Sequence, residues 1–178
     1  MLYLKIPDME LYDDAKEEFI YIKGQTIALE HSLVSVSKWE AKWKVPFLSK
    51  RSMSFEQTLD YIRCMTITQN VSPYLYSNLT QEHIEKIKKY IDDPMTATWF
   101  KDDKKPSKEV VTSELIYYWM IESNIPIECQ KWHLNRLLTL IKVVNSKREP
   151  KKKMSRKDIY KQNSSLNAMR KARLHTHG

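Results

Sequence analysis

Residues 146–162, SKREPKKKMSRKDIYKQ, set eight lysines and arginines against two acids. Cations at this density can do two kinds of chemistry. They can neutralise phosphates and release counterions, which gives salt-sensitive nucleic-acid binding. They can also frame a short apolar stripe that docks on another protein. A solvated tail that only aids solubility is the plainer alternative. Protein docking is preferred, because Ile159, Tyr160, Leu166 and Met169 fall at helical spacing, and a purely phosphate-binding arm has less need of them. The candidate partner-binding residues are Lys151, Lys152, Lys153, Arg156, Lys157, Ile159, Tyr160, Leu166, Met169, Arg170 and Arg173.

Other chemistry finds less footing. His31, His83 and His133 are scattered, and His175 and His177 form an H-x-H without a second ligand pair, so no metal site is expected. His133, between Trp132 and Leu134, reads as a packed structural histidine, and His83 as a solvated one in a helix first turn. Cys64 and Cys129 read as small buried hydrophobes in a reduced chain. Acids such as Asp13/Asp14, Asp92/Asp93 and Asp102/Asp103 come as adjacent pairs, which suits turns and caps better than catalysis. Only Gly24 and Gly178 are glycines, so phosphate-cradling Gly-rich loops are excluded. No nucleophile or metalloprotease motif is present. The reading is a non-enzyme with no cofactor.

Charge divides the chain. From Lys147 onward there are eleven Lys/Arg and two Asp/Glu, while residues 1–146 hold 19 basic and 20 acidic side chains. Basicity therefore belongs to the tail. The chain lacks an apolar run long enough for a membrane span, and its start has no signal-peptide pattern, so a soluble cytoplasmic protein is expected.

The expected architecture is mainly α (α+β). A helical domain with a small N-terminal β element covers 1–147, and a basic helical arm covers 148–178. LYLKIP, EEFIYIKG and QTIALEHSL alternate as two or three strands, with a hairpin turn around Gly24 in IKGQT. Residues 32–43 fit strand or helix, stopped by Pro46. If they are helix, Trp39 and Trp43 share a face. Core packing leads for this pair, and a subunit contact, making the chain an oligomer, is the alternative.

Ser54 with Gln57 forms a capping box before a helix whose stripe is Phe55, Leu59, Ile62 and Met65/Thr66. A helix from Thr80 carries Ile84, Ile87 and Ile91 and ends at Pro94. VTSELIYYWMIES carries Leu115, Tyr118, Trp119 and Glu122. A helix opening at Pro126 and running through Trp132, Leu134, Leu137, Leu138, Leu140, Ile141 and Val144 is expected to be the central buried one. The two form a packed helical hairpin rather than a DNA reader, since the second is mostly apolar and Asn124 stands where a turn glycine is usual. Residues 148–154 form a hinge. Ser155 then caps a helix with Asp158 at its third position. Its thin stripe would fold on a partner.

LEHSLVSVSKWEAKWKVPFLSK, TLDYIRCMTITQNV, YIDDPMTATWF and above all PKKKMSRKDIYKQNSSLNAMRKARL resemble a small protein of the tail gene module of long-tailed bacteriophages, similar to the tail assembly chaperones. The resemblance covers residues 28–178. It implies tape-measure and tail-tube proteins as partners, with apolar grooves of the body for the first and the arm from Lys151 for the second. It also implies assembly in the host cytoplasm. Two alternatives remain: a structural subunit of the tail, neck or baseplate that contacts neighbouring virion subunits, and a phage nucleic-acid-binding regulator.

Overall fold

The computed structural model describes residues 1–13, 17–49, 52–100, 109–148 and 155–174. Two compact units divide it, Met1–Asn145 and Ser146–Gly178. The fold is mainly α with a small N-terminal β element.

Four strands open the chain: β1 (Leu2–Ile6), β2 (Met9–Asp13), β3 (Glu18–Ile22) and β4 (Gln25–Leu29). β1 pairs antiparallel with β4, from Leu2 opposite Leu29 to Ile6 opposite Gln25. β2 pairs with β3, from Met9 opposite Ile22 to Asp13 opposite Glu18. Both ladders share one register, so the two two-stranded sheets follow one another as a single ribbon with a break at Pro7–Asp8 and Lys23–Gly24. Gly24 is therefore not the tip of a hairpin, as the sequence suggested. Gly24 sits opposite Pro7, between the two ladders. Proline has no N–H for the ladder. A Cβ on Gly24 would lie 2.5 Å from the Ile6 carbonyl oxygen, the Pro7 carbon and the Asp8 nitrogen. Close backbone approach requires the glycine here, and its φ is not positive.

Residues 32–43 resolve as helix α1 (Leu33–Trp43). Ser32 Oγ accepts from Ser35 N at 3.3 Å, and Ser35 Oγ accepts from Ser32 N at 3.0 Å. This reciprocal cap favours helix over strand. Lys44 ends α1 in the left-handed conformation, φ 56°. Helix α2 (Phe55–Met65) has the expected Ser54–Gln57 capping box. Its buried side is Asp60, Tyr61, Ile62 and Met65, while Phe55 is exposed. Phe55 stands in the first turn, before the helix reaches the core. A 3₁₀ helix (Pro73–Asn78) leads to α3 (Gln81–Asp92), capped by Thr80, with Ile87 buried and Ile84 and Ile91 half-buried.

Helix α4 (Ser113–Glu122) buries Ile116 and Met120 rather than Tyr118, so its stripe is rotated from the expected one. Asn124 takes φ 57°, filling the turn glycine's role. The single helix expected from Pro126 is two. A 3₁₀ helix (Ile127–Lys131) stops, Trp132 and His133 are extended, and α5 (Leu134–Arg148) begins. The break has a tertiary cause: His133 pairs with Ser32 in an isolated β-bridge, and Leu134 N donates to His31 O at 2.7 Å. Consequently α5 is buried along one face, through Leu134, Leu137 and Ile141, and Trp132 lies at the surface under Arg136. The core of the body gathers Ile6, Ile27, Leu29, Leu33, Trp39, Ile62, Ile116, Met120, Leu134 and Leu137.

The second unit contains helix α6 (Arg156–Leu174). Among the described residues no helix is long and apolar enough to cross a membrane.

Candidate functional site

The arm is built from its cap. Asp158 N donates to Ser155 Oγ at 3.1 Å, and Ser155 Oγ donates to Asp158 Oδ2 at 2.6 Å. One of the four orphan N–H groups of the first turn is thus answered locally, and Asp158 lies favourably near the helix N-terminus. The sequence showed both residues, because a cap is a short-range signal.

Every residue of α6 is exposed. Ile159 and Leu166 lie two turns apart on one line, with Met169 three residues further. They are 44%, 43% and 67% exposed. Tyr160, 77% exposed, points about 100° away from Ile159. Leu174, which the sequence did not single out, is also exposed. Gln162 and Arg173 interrupt the stripe. Arg156, Lys157, Arg170 and Arg173 are on the helix, joined by Lys161 and Lys171. Lys151, Lys152 and Lys153 lie outside the described residues, as do Asp102, Asp103, His175 and His177.

Trp39 and Trp43 do not form an exposed pair. Trp39 is fully buried, and its indole N–H donates to Gln57 O at 3.0 Å. It packs edge-on to Phe47 at 5.4 Å. Trp43 is half-buried and donates to Asp60 Oδ2 at 2.8 Å, while Lys42 Nζ holds Asp60 Oδ1 at 2.5 Å. A subunit contact through Trp39 is therefore corrected to core packing: the two indoles fasten α1 to α2.

The sequence missed a buried polar cluster. His31 Nδ1 and the Tyr61 hydroxyl are 2.5 Å apart. The His31 and His133 rings meet edge-on at 5.0 Å. His133 Nε2–H donates to Tyr90 O at 3.0 Å, and its buried Nδ1 has no hydrogen-bond partner among the described residues. The Tyr90 hydroxyl donates to Glu30 Oε1 at 2.5 Å. Desolvation pushes His31 down to about 3, with His133 adding to the effect, and burial also lowers His133. Burial pushes the Tyr61 hydroxyl well above the usual phenol range. Both imidazoles are thus neutral packing groups at neutral pH, as the sequence reading had it for His133.

Glu40 is a second buried polar group. Its Oε1 accepts from Phe47 N and its Oε2 from Ser113 N, each at 2.7 Å. One carboxylate thereby holds the loop after α1 and the first turn of α4. Partners 73 residues apart leave no local signal. Cys129 is buried and Cys64 half-buried, both as free thiols.

Among the described residues no group of three or more His, Cys, Asp or Glu side chains could hold a metal ion. A cleft of about 500 Å³ between α2 and α3 is lined mainly by Phe47, Met53, Ile62, Ile84, Ile87 and Ile91. Its chemistry is that of apolar contact, as is that of the α6 stripe. Comparison with family models, curated proteins and solved structures finds no match to this chain.

Proposed function

We propose that this chain is a non-enzymatic morphogenesis protein of a long-tailed phage, acting by protein–protein contact as a tail assembly chaperone. The supporting observation is α6, a capped helix on which Ile159, Leu166 and Met169 all stand exposed among cations. Apolar side chains on such a helix gain free energy only when a partner covers them. The cleft between α2 and α3, with three isoleucines of α3 on one side, offers a second apolar surface suited to a long helix such as a tape-measure protein. The arm would then address the tube protein. A structural subunit of the virion uses the same contacts permanently.

Nucleic-acid binding is the second reading. It is favoured by the distribution of Arg156, Lys157, Lys161, Arg170, Lys171 and Arg173 around more than one side of α6, with Asp158 its only acid. The double variant Ile159→Asp/Leu166→Asp separates the readings. Protein capture should be lost and persist in the parent at high salt, whereas phosphate binding should survive the substitutions and collapse with salt. Quantitative mass spectrometry of virions against infected-cell lysate then divides the protein readings. Abundance in lysate with absence from virions supports the chaperone; a fixed copy number in virions supports the structural subunit.

A further inference from the structure

The outer half of the ribbon carries a face that the body leaves open. Beyond the Pro7–Gly24 break, Met9, Leu11, Ile20 and Ile22 turn inward, whereas Glu10, Tyr12, Phe19 and Tyr21 are exposed. These four are two cross-strand pairs, Glu10 with Tyr21 and Tyr12 with Phe19. The Tyr12 and Phe19 rings lie 5.1 Å apart, and Phe19 is 73% exposed. Carboxylates frame the rings. Asp8 accepts from Gly24 N–H at 2.6 Å and from the Tyr21 hydroxyl, and these bonds hold its carboxyl below the usual range. Glu17 and Glu18 are exposed at the far end. Residues 8–18 contain six acids and a single lysine. The solvated face of an antiparallel ribbon is ordinarily polar, so three exposed aromatics in one block mark a contact surface.

Three observations select what covers it. The face is acidic, and α6 carries six cations against Asp158. The Ile159–Met169 stripe is about 15 Å long at the α-helical rise, and a five-residue ladder is about 16 Å long. Aliphatic and thioether side chains suit the rings, and flanking arginines suit their faces. We infer that α6 of one copy docks on the outer ribbon face, Glu10, Tyr12, Phe19 and Tyr21, of a second copy. This rests on the reading of α6 as a protein-docking helix and names a partner for it. Two unlike patches meet, so a pair joined by one such contact still has one ribbon and one arm free, and association is open-ended.

Sedimentation equilibrium of the full chain tests this. At low salt the mean mass should rise with concentration without a plateau, and high salt should weaken association. Glu10→Lys/Phe19→Ser, both exposed, and Ile159→Asp/Leu166→Asp should each weaken self-association at least tenfold, with unchanged circular dichroism. Mixed in equal amounts, the two variants should form 1:1 dimers that grow no further, because one lacks a ribbon face and the other an arm. A mixture that stays monomeric, or a parent chain monomeric at every concentration, overturns the inference. If that monomeric parent still captures a purified tail-tube or tape-measure protein and the arm variant does not, α6 is a docking helix with a different partner. If the arm variant loses neither association nor capture, the reading of α6 itself fails.

Discussion

Leu137 in α5 and Leu166 in α6 are the same residue in the same secondary structure; one is fully buried and the other 43% exposed. The body surrounds its apolar side chains from several elements and gives long-range partners to buried polar groups such as Glu40, held by two backbone N–H groups, and His31, paired with Tyr61. The arm answers only its own first turn. Helical spacing thus marks which residues can share a face, and what lies opposite decides whether that face stabilises anything.

The sharpest way to break this contrast is to truncate both leucines. Leu137→Ala should destabilise the body by about 2–5 kcal/mol, through lost transfer energy and the cavity left behind. Leu166→Ala should leave the denaturation midpoint within about 0.5 kcal/mol of the parent, as exposed substitutions do. Chemical denaturation followed by tryptophan fluorescence reads both, and equal losses would mean the arm is part of the core.

Acid sharpens it next. Folded His31 titrates near 3 and folded His133 is lowered, against an ordinary 6.5 for each. The unfolded chain therefore binds more protons below pH 6.5. Stability is full above that pH and falls as the medium is acidified, by up to about 1.4 kcal/mol per pH unit for His31 until it protonates near 3, with His133 acting in the same direction. Tyr61 and the Tyr90 carbonyl face the pair, with Glu30, Asp93 and the Met1 amine acting on His133. His31→Gln should flatten the slope of melting temperature against pH over this window; an unchanged slope would acquit the cluster.

The smallest effect concerns the arm alone. Ser155→Ala removes the cap and should weaken the first turn of α6 by about 1 kcal/mol. Amide exchange at residues 157–160 should quicken about fivefold, with body amides unmoved.

Legibility in the sequence followed distance along the chain. The caps at Ser54, Thr80 and Ser155 were readable because each answers a backbone group three residues away. The α1 assignment stayed open because Leu33, Val34, Val36, Trp39 and Trp43 satisfy both periodicities loosely; the Ser32–Ser35 cap decided it. The break at Trp132 and His133 was invisible, since its cause, the bridge to Ser32, lies about a hundred residues back. His31 and Glu40 were likewise silent, with partners 30 and up to 73 residues away. Phe55 misled because its place in a heptad says nothing of where the neighbouring helix begins.

The crossing at Pro7 and Gly24 has one more effect. Ile6 and Met9, three residues apart, are both drawn toward the body, so each strand spends two residues passing from one ladder to the next. Beyond that crossing, two residues added to each strand would extend the ribbon by one full pleat and keep every side chain on its own face. The outer ladder can therefore lengthen or shorten in matched steps over evolutionary time while the inner ladder, Leu4, Ile6, Ile27 and Leu29, keeps its place unchanged.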